Sequence, residues 1–205
     1  MLDRLVARLE VEEGCRTIIL YGSRARGDAG PGSDYDLVGF RDRKGPPVRE
    51  TGVRDGALLD VFIYPIERLA EPRADMLHVR GGRVLRDRDG LGESFLAGLD
   101  EVFAAGPDPL PADEIAARCN WAWKTLDRAA GGDVEGHFRR AWLLTTQLEN
   151  FFLLRNAWYP GSKVALSVLQ AEHPAVYAVL ERALAPAATL AEIENLVLAV
   201  NGPRR

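Results

Sequence analysis

Ile18-Ile19-Leu20-Tyr21-Gly22-Ser23-Arg24-Ala25-Arg26-Gly27-Asp28, followed by Ser33-Asp34-Tyr35-Asp36-Leu37-Val38-Gly39-Phe40, is the stretch on which the reading of the whole chain turns. Two apolar runs of strand length bracket a segment that begins Gly-Ser and ends Asp-x-Asp. Side chains two apart on a strand point to the same face, so Asp34 and Asp36 are expected to present their carboxylates together. At about 4 Å and an effective dielectric of ~20, two such charges repel by roughly 4 kcal/mol. A proton or a divalent cation has to offset that repulsion, and a hard cation with oxygen ligands, such as Mg²⁺, fits best. At the other end, Gly22 follows a strand and Ser23 is placed to cap a helix, whose free N–H groups and positive dipole end suit a phosphate.

Rival glycine-loop readings fail on the residues themselves. Gly22 and Gly27 have the spacing of a P-loop, but Asp28-Ala29 stands where Lys and Ser/Thr are required. Gly27, Gly30 and Gly32 do not form a dinucleotide fingerprint. The plainer alternative, that Asp34 and Asp36 only cap a turn after Gly30-Pro31-Gly32-Ser33, is the weaker one.

Outward from this stretch, the composition is that of an ordinary globular protein: 205 residues, 47% hydrophobic and 27% charged, enough for one large domain or two small ones. With 26 basic against 30 acidic residues the formal net charge is -4, which argues against binding long nucleic acid through its phosphates. Cys15 and Cys119 are too few for a disulfide framework or a zinc knuckle. They read as reduced thiols of a cytoplasmic protein. No apolar signal core opens the chain, and no run approaches the ~18 apolar residues of a membrane span.

Leu2, Leu5, Val6 and Leu9 predict a short opening helix ending near Gly14, before a first strand at 17–21. A short helix at 23–27 and a second strand at 34–40 follow. Val48 to Val53 is a weaker strand, Arg54-Asp55-Gly56 has the chemistry of a hairpin turn, and Ala57 to Tyr64 is an apolar strand interrupted by Asp60. An unpaired buried carboxylate costs several kcal/mol, so Asp60 has to face a cation, a donor or solvent. Set beside Asp34 and Asp36, it is the natural third member of a metal-binding triad; Asp55 is explained by the turn alone. A helix is expected over 66–79, an edge strand over 83–87 and a helix over 91–105. The first 105 residues thus form an α/β (α+β) unit on a small mixed sheet.

Gly106-Pro107-Asp108-Pro109-Leu110-Pro111 is a stiff connector, since its prolines cannot continue a helix. Residues 112–205 then lose all strand signals and predict an all-α helical bundle. One helix carries the stripe Ile115, Cys119, Ala122 and Leu126, and a second the stripe Phe138, Ala141, Trp142, Thr145, Leu148 and Phe152, with Trp123 and Trp142 expected in the core. A third helix runs over 163–171, Pro174 begins a fourth, and Thr189-Leu190-Ala191-Glu192 has the pattern of a capping box opening a fifth.

The motif Gly22-Ser23-Arg24-Ala25-Arg26-Gly27 with Ser33-Asp34-Tyr35-Asp36-Leu37 resembles the signature of the DNA polymerase β-like nucleotidyltransferase superfamily. The two-domain layout is most similar to that of the kanamycin and lincosamide nucleotidyltransferases. The resemblance implies a catalytic site of Asp34, Asp36 and Asp60 holding two Mg²⁺ ions, and a triphosphate bound at Gly22 and Ser23. The reaction it implies is attack of an acceptor hydroxyl on the α-phosphorus of a nucleoside triphosphate, with AMP transfer from ATP favoured and pyrophosphate released. The acceptor would be a small molecule, an antibiotic being one candidate, bound between the domains. Arg24 and Arg26 either add charge to the phosphate site or face solvent. In the bundle, Lys163 is a candidate for the triphosphate tail, and Glu149 and Arg155 are candidates for the acceptor side.

Two other readings stay open: modification of a protein or tRNA, as in antitoxin-type relatives, and a catalytically silent nucleotide-binding or interaction module. The presence of all three carboxylates argues against the silent module.

Overall fold

The computed structural model describes residues 1–204. The chain divides into two compact units, one of Met1–Ala105 and one from Gly106 on. In the first, α1 (Leu2–Val11) is followed by β1 (Cys15–Tyr21), α2 (Gly22–Arg26), β2 (Tyr35–Arg41), β3 (Val48–Arg54), β4 (Ala57–Pro65), β5 (Arg83–Asp87) and α3 (Gly92–Ala105). The five strands form one sheet in the order β3-β4-β2-β1-β5. Only β2 and β4 pair in parallel; the other neighbours are antiparallel, so the sheet is mixed as expected.

Period-two alternation divides the apolar residues between the two faces. Ile18, Leu20, Leu37, Leu59, Val61 and Ile63 pack against Leu5, Val6 and Leu9 of α1. Ile19, Tyr21, Val38 and Phe40 point the other way, under Leu69, Met76, Val79 and the α3 residues Phe95, Leu96 and Leu99. β3 is an edge strand with little burial. An Arg8–Glu50 ion pair of 2.8 Å ties it to α1 on one side. The β3–β4 hairpin closes through Asp55 and Gly56, both at positive φ (49° and 78°), as a two-residue turn of this chemistry requires.

The single helix expected over 66–79 is instead two 3₁₀ helices, Ile66–Ala70 and Ala74–Val79. Pro72 explains the break: it has no N–H to donate and drives Glu71 out of helical backbone, to φ -130° and ψ 72°. β1 starts two residues earlier than expected, at Cys15, and α2 starts at Gly22 with Tyr21 as its N-cap, so Ser23 lies inside the helix and does not cap it.

The second unit is all α: α4 (Ala112–Ala129), α5 (Val134–Leu153), α6 (Ser162–Glu172), α7 (Pro174–Leu184) and α8 (Leu190–Asn201). Its core joins Ala122, Trp123 and Leu126 to Leu143, Phe151, Leu169, Leu180, Ile193 and Val197. The capping box at Thr189 and Glu192 forms with both reciprocal bonds. The stripe expected on α5 is partly wrong. Phe138, Trp142 and Thr145 are exposed, and the buried face is Leu143, Leu144, Gln147, Asn150 and Phe151. That face buries two amides, because Arg118 bonds Asn150 and Asn201 bonds Gln147. The outward aromatics stack on one another instead, Trp142 edge-on to Trp121 at 5.1 Å. Trp123 is in the core as expected; Trp142 is not. Among the described residues no helix is long and apolar enough to cross a membrane.

Gly39 in the middle of β2 offers a test of this packing, since a Cβ there would lie 2.6 Å from the buried Cys15 sulfur. Gly39→Ala should cost about 1–3 kcal/mol in urea unfolding, and combined with Cys15→Ala the two losses should add to less than their sum.

Candidate active site

The sheet register builds the site. The parallel pairing sets Asp36 directly beside Asp60, and the antiparallel pairing sets Asp36 beside Tyr21. Asp36 alternates with Val38 and Phe40, and Asp60 with Phe62 and Tyr64, so both carboxylates leave the sheet on the face that α3 and the 3₁₀ helices cover. Asp34 lies just before β2. Where β1 turns into α2, Gly22 has φ +69°, and a Cβ there would stand 2.0 Å from Asp36 Oδ2. The motif glycine is therefore demanded twice, by its backbone angle and by the carboxylate lying against it.

Charge crowding marks this corner of the sheet. Burial, then the Asp34 and Asp60 charges, push the Asp36 carboxyl up from its usual 3.8 to about 6, while Arg26 and Arg24 pull it the other way. Tyr21 is likewise held neutral well above the usual phenol range, by burial first and then by Asp36 and Asp60. His78, on the second 3₁₀ helix, stands edge-on to Tyr21 at 5.2 Å. It keeps part of its surface open, but desolvation of its ring lowers its pKa below the usual histidine value.

The remaining residues singled out in the sequence fall in different places. Arg24 spans the ends of the loop: its Nε donates to the Asp34 carbonyl at 2.9 Å and its Nη2 to the Ser33 carbonyl at 2.7 Å, with the guanidinium 3.9 Å from the Tyr35 ring centre. Its visible work is to hold the entry to β2, and so Asp34, against α2. Arg26 lies 3.5 Å from Asp28 and contributes positive charge toward Asp36. In the second unit, Lys163 is in the first turn of α6. Glu149 is exposed on α5 and raises the pKa of Tyr159, after desolvation. Arg155 lies just past α5, over the Phe151 ring at 4.0 Å, and lines a cavity of about 570 Å³ with Trp123, Cys119 and Asn201.

Arg49 escaped the sequence reading. From β3 it grips Asp60 with a two-pronged contact, Nε to Oδ1 and Nη2 to Oδ2, both 2.9 Å. The three carboxylates suit a hard divalent cation in kind, being oxygen donors, with Asp34 and Asp60 close enough to add to the effect of burial on Asp36. In position they do not yet make a ready cage: among the described residues no group of three or more His, Cys, Asp or Glu side chains is disposed to hold a metal ion. Both Asp60 oxygens are taken by Arg49.

Residues 2–75 match the family model of the nucleotidyltransferase domain. That nucleotidyltransferase match spans α1 through the start of the second 3₁₀ helix and contains Gly22, Ser23, Asp34, Asp36, Arg49 and Asp60. Among solved structures, a nucleotidyltransferase-like protein from Exiguobacterium sibiricum is similar at 12% identity and a TM-score of 0.48, over 98% of this chain and 77% of its own. No curated protein matches the chain.

With its pKa at about 6 in the folded chain against 3.8 when unfolded, Asp36 leaves the folded state holding more protons between those values. Its contribution to stability therefore falls as pH rises through that window, and above about 6 the ionised carboxylate is a cost. In EDTA, Asp36→Asn should be more stable than wild type at pH 7.5 by roughly 2 kcal/mol, the gain disappearing below about pH 4. Urea titrations at successive pH values read this directly.

Proposed function

We propose that the protein is a Mg²⁺-dependent nucleotidyltransferase that moves a nucleoside monophosphate, AMP from ATP, to a hydroxyl of a small-molecule acceptor. The observation that carries this reading is the convergence of Asp36 and Asp60 from adjacent parallel strands, beside a glycine whose missing side chain makes room for Asp36. The family match over the same residues supports it. A carboxyl such as Asp36, whose pKa is raised by burial and then by the Asp34 and Asp60 charges, is a cost to folding, and such costs gather where chemistry needs them.

In the reaction, the acceptor oxygen forms a bond to the α-phosphorus as the bond from that phosphorus to the bridging oxygen breaks, and pyrophosphate leaves with the electron pair. Bound Mg²⁺ supplies charge neutralisation for the triphosphate and a lower pKa for the acceptor hydroxyl, and Asp34, Asp36 and Asp60 are the residues that would hold it. The Gly22 N–H and the Ser23 hydroxyl bind the β- and γ-phosphates. Arg26 adds positive charge on the same side, whereas Arg24 keeps Asp34 in place through the backbone. Asp60, freed from Arg49, takes the proton released by the acceptor hydroxyl on a carboxylate oxygen. Tyr21, held neutral, lines the site without adding a charge.

Acceptor recognition belongs, in this reading, to the second unit, where Glu149 offers a carboxylate to a cationic acceptor and Arg155 a guanidinium to an anionic one. Lys163 is the bundle's candidate for the triphosphate tail. An antibiotic acceptor is one member of this class.

Incubation with ATP labelled at the α-phosphate, Mg²⁺ and a panel of hydroxylated acceptors should give acceptor-dependent pyrophosphate release. Asp34→Asn should lower the rate by about 10²–10³-fold, as expected for several kcal/mol of lost charge stabilisation, with its far-UV circular dichroism unchanged. Undiminished turnover in that variant would refute the assignment.

A further inference from the structure

The Asp55-Gly56 turn pairs Arg54 with Ala57, and the hairpin then runs in strict register to Arg49 opposite Phe62 and Thr51 opposite Asp60. Arg49 is thus the diagonal neighbour of Asp60 on the same face, within reach of a long side chain. Its guanidinium lies 4.9 Å from the Phe62 ring centre, and both nitrogens on its Asp60 side are bonded to that carboxylate. A fork of this geometry fits a carboxylate better than an ammonium would. Glu50, one residue along, points to the opposite face and is taken by Arg8. The edge strand β3 is therefore held on each face by one arginine–carboxylate pair, and one of those carboxylates is the third member of the acidic site.

We propose that Arg49 is the resident counter-ion of Asp60, and that a divalent cation binding at Asp34 and Asp36 recruits Asp60 in competition with this guanidinium, so that Arg49 lowers the affinity of the site for the cation. This rests on the reading given under Proposed function. A fork bonded to both Asp60 oxygens covers the side of the carboxylate that faces Arg49, and it competes in charge and in position with a cation that would take the same lone pairs. The same carboxylate is satisfied when the cation is away, and β3 stays attached to the sheet. Arg49 is a positioning residue in this scheme, acting through Asp60.

Mn²⁺ binding to the full chain, followed by the electron paramagnetic resonance of the free ion, tests the exchange. Arg49→Met keeps the aliphatic stem over Phe62 and removes the fork. It should bind Mn²⁺ about three- to tenfold more tightly than wild type, the range expected for release of a partly exposed two-pronged pair. Arg49→Lys should fall between them, and Asp60→Asn added to Arg49→Met should cancel the gain. Glu50→Gln, which loosens β3 from the other face, should leave Mn²⁺ affinity unchanged. If Arg49→Met fails to fold, the Nε–H resonance of Arg49 in wild-type protein answers the same question, since Mg²⁺ should shift it toward a solvent-exposed arginine. Unchanged affinity in Arg49→Met, or an unmoved Nε–H signal while Asp34→Asn abolishes Mn²⁺ binding, overturns the role of Arg49 and leaves the enzyme reading standing. Absence of Mn²⁺ binding in both wild type and Arg49→Met overturns the two together.

Discussion

A single crowded contact, the Asp36 carboxylate pressed against the bare backbone of Gly22, is what the first unit is built to permit. Asp36 Oδ2 occupies the space a Cβ at position 22 would fill, and the positive φ of Gly22 turns β1 directly into α2 at that point. Parallel pairing with β4 then brings Asp60 alongside, and Arg24 fastens the incoming end of β2 so that Asp34 cannot drift away. Burial first, and then the negative charges of Asp34 and Asp60 that these constraints bring near, make Asp36 give up its proton late, against the opposing pull of Arg26 and Arg24. Folding tolerates the cost because the same strands carry Ile18, Leu20, Leu37, Val38 and Phe40 into fully buried positions on both faces. Full burial of one such side chain is worth about 1.5–3 kcal/mol, so a few of them outweigh one unhappy carboxylate.

The edge strand shows the same logic at lower stakes. β3 has almost no buried side chain to anchor it. Backbone pairing to β4 gives it a register, and the two arginine–carboxylate pairs, one per face, give it side-chain attachment. Exposed ion pairs are worth little in general, yet here the geometry is two-pronged on Asp60 and the Arg8 side chain is largely buried. An edge held by charges can be loosened by charges, and a sheet edge held by a packed leucine could not be.

Much of this was legible in the residues. The glycine that ends β1, the Asp60 that interrupts an apolar strand, the Asp55-Gly56 turn and the Thr189–Glu192 box each carry a local physical demand that the structure meets, whereas Asp34 lies just before β2 and does not share a strand with Asp36. What escaped were consequences of register and tertiary choice. Arg49 could have been found: a two-residue turn at 55 and 56 fixes which residues of β3 oppose which of β4, and counting back puts Arg49 diagonal to Asp60. His78 and Tyr21 could not, because their approach depends on the 3₁₀ segment folding over the sheet, and the sequence there was read as one helix. Pro72 was the signal missed.

The bundle went astray for a different reason. On α5 the apolar stripe with the stronger pattern, through Phe138, Trp142 and Thr145, stays outside, while a face carrying Gln147 and Asn150 goes in. Hydrophobic periodicity scores aromatics above amides, but the buried amide oxygens of Gln147 and Asn150 find partners on two other helices, Arg118 on α4 and Asn201 at the end of α8, while their NH₂ groups have none among the described residues. Such partners lie 32 and 54 residues away in the chain, beyond the reach of any window of helical pattern. These bonds run from α5 to α4 and to α8, and the rotation of α5 that makes them is the one that leaves Trp142 on the outer face.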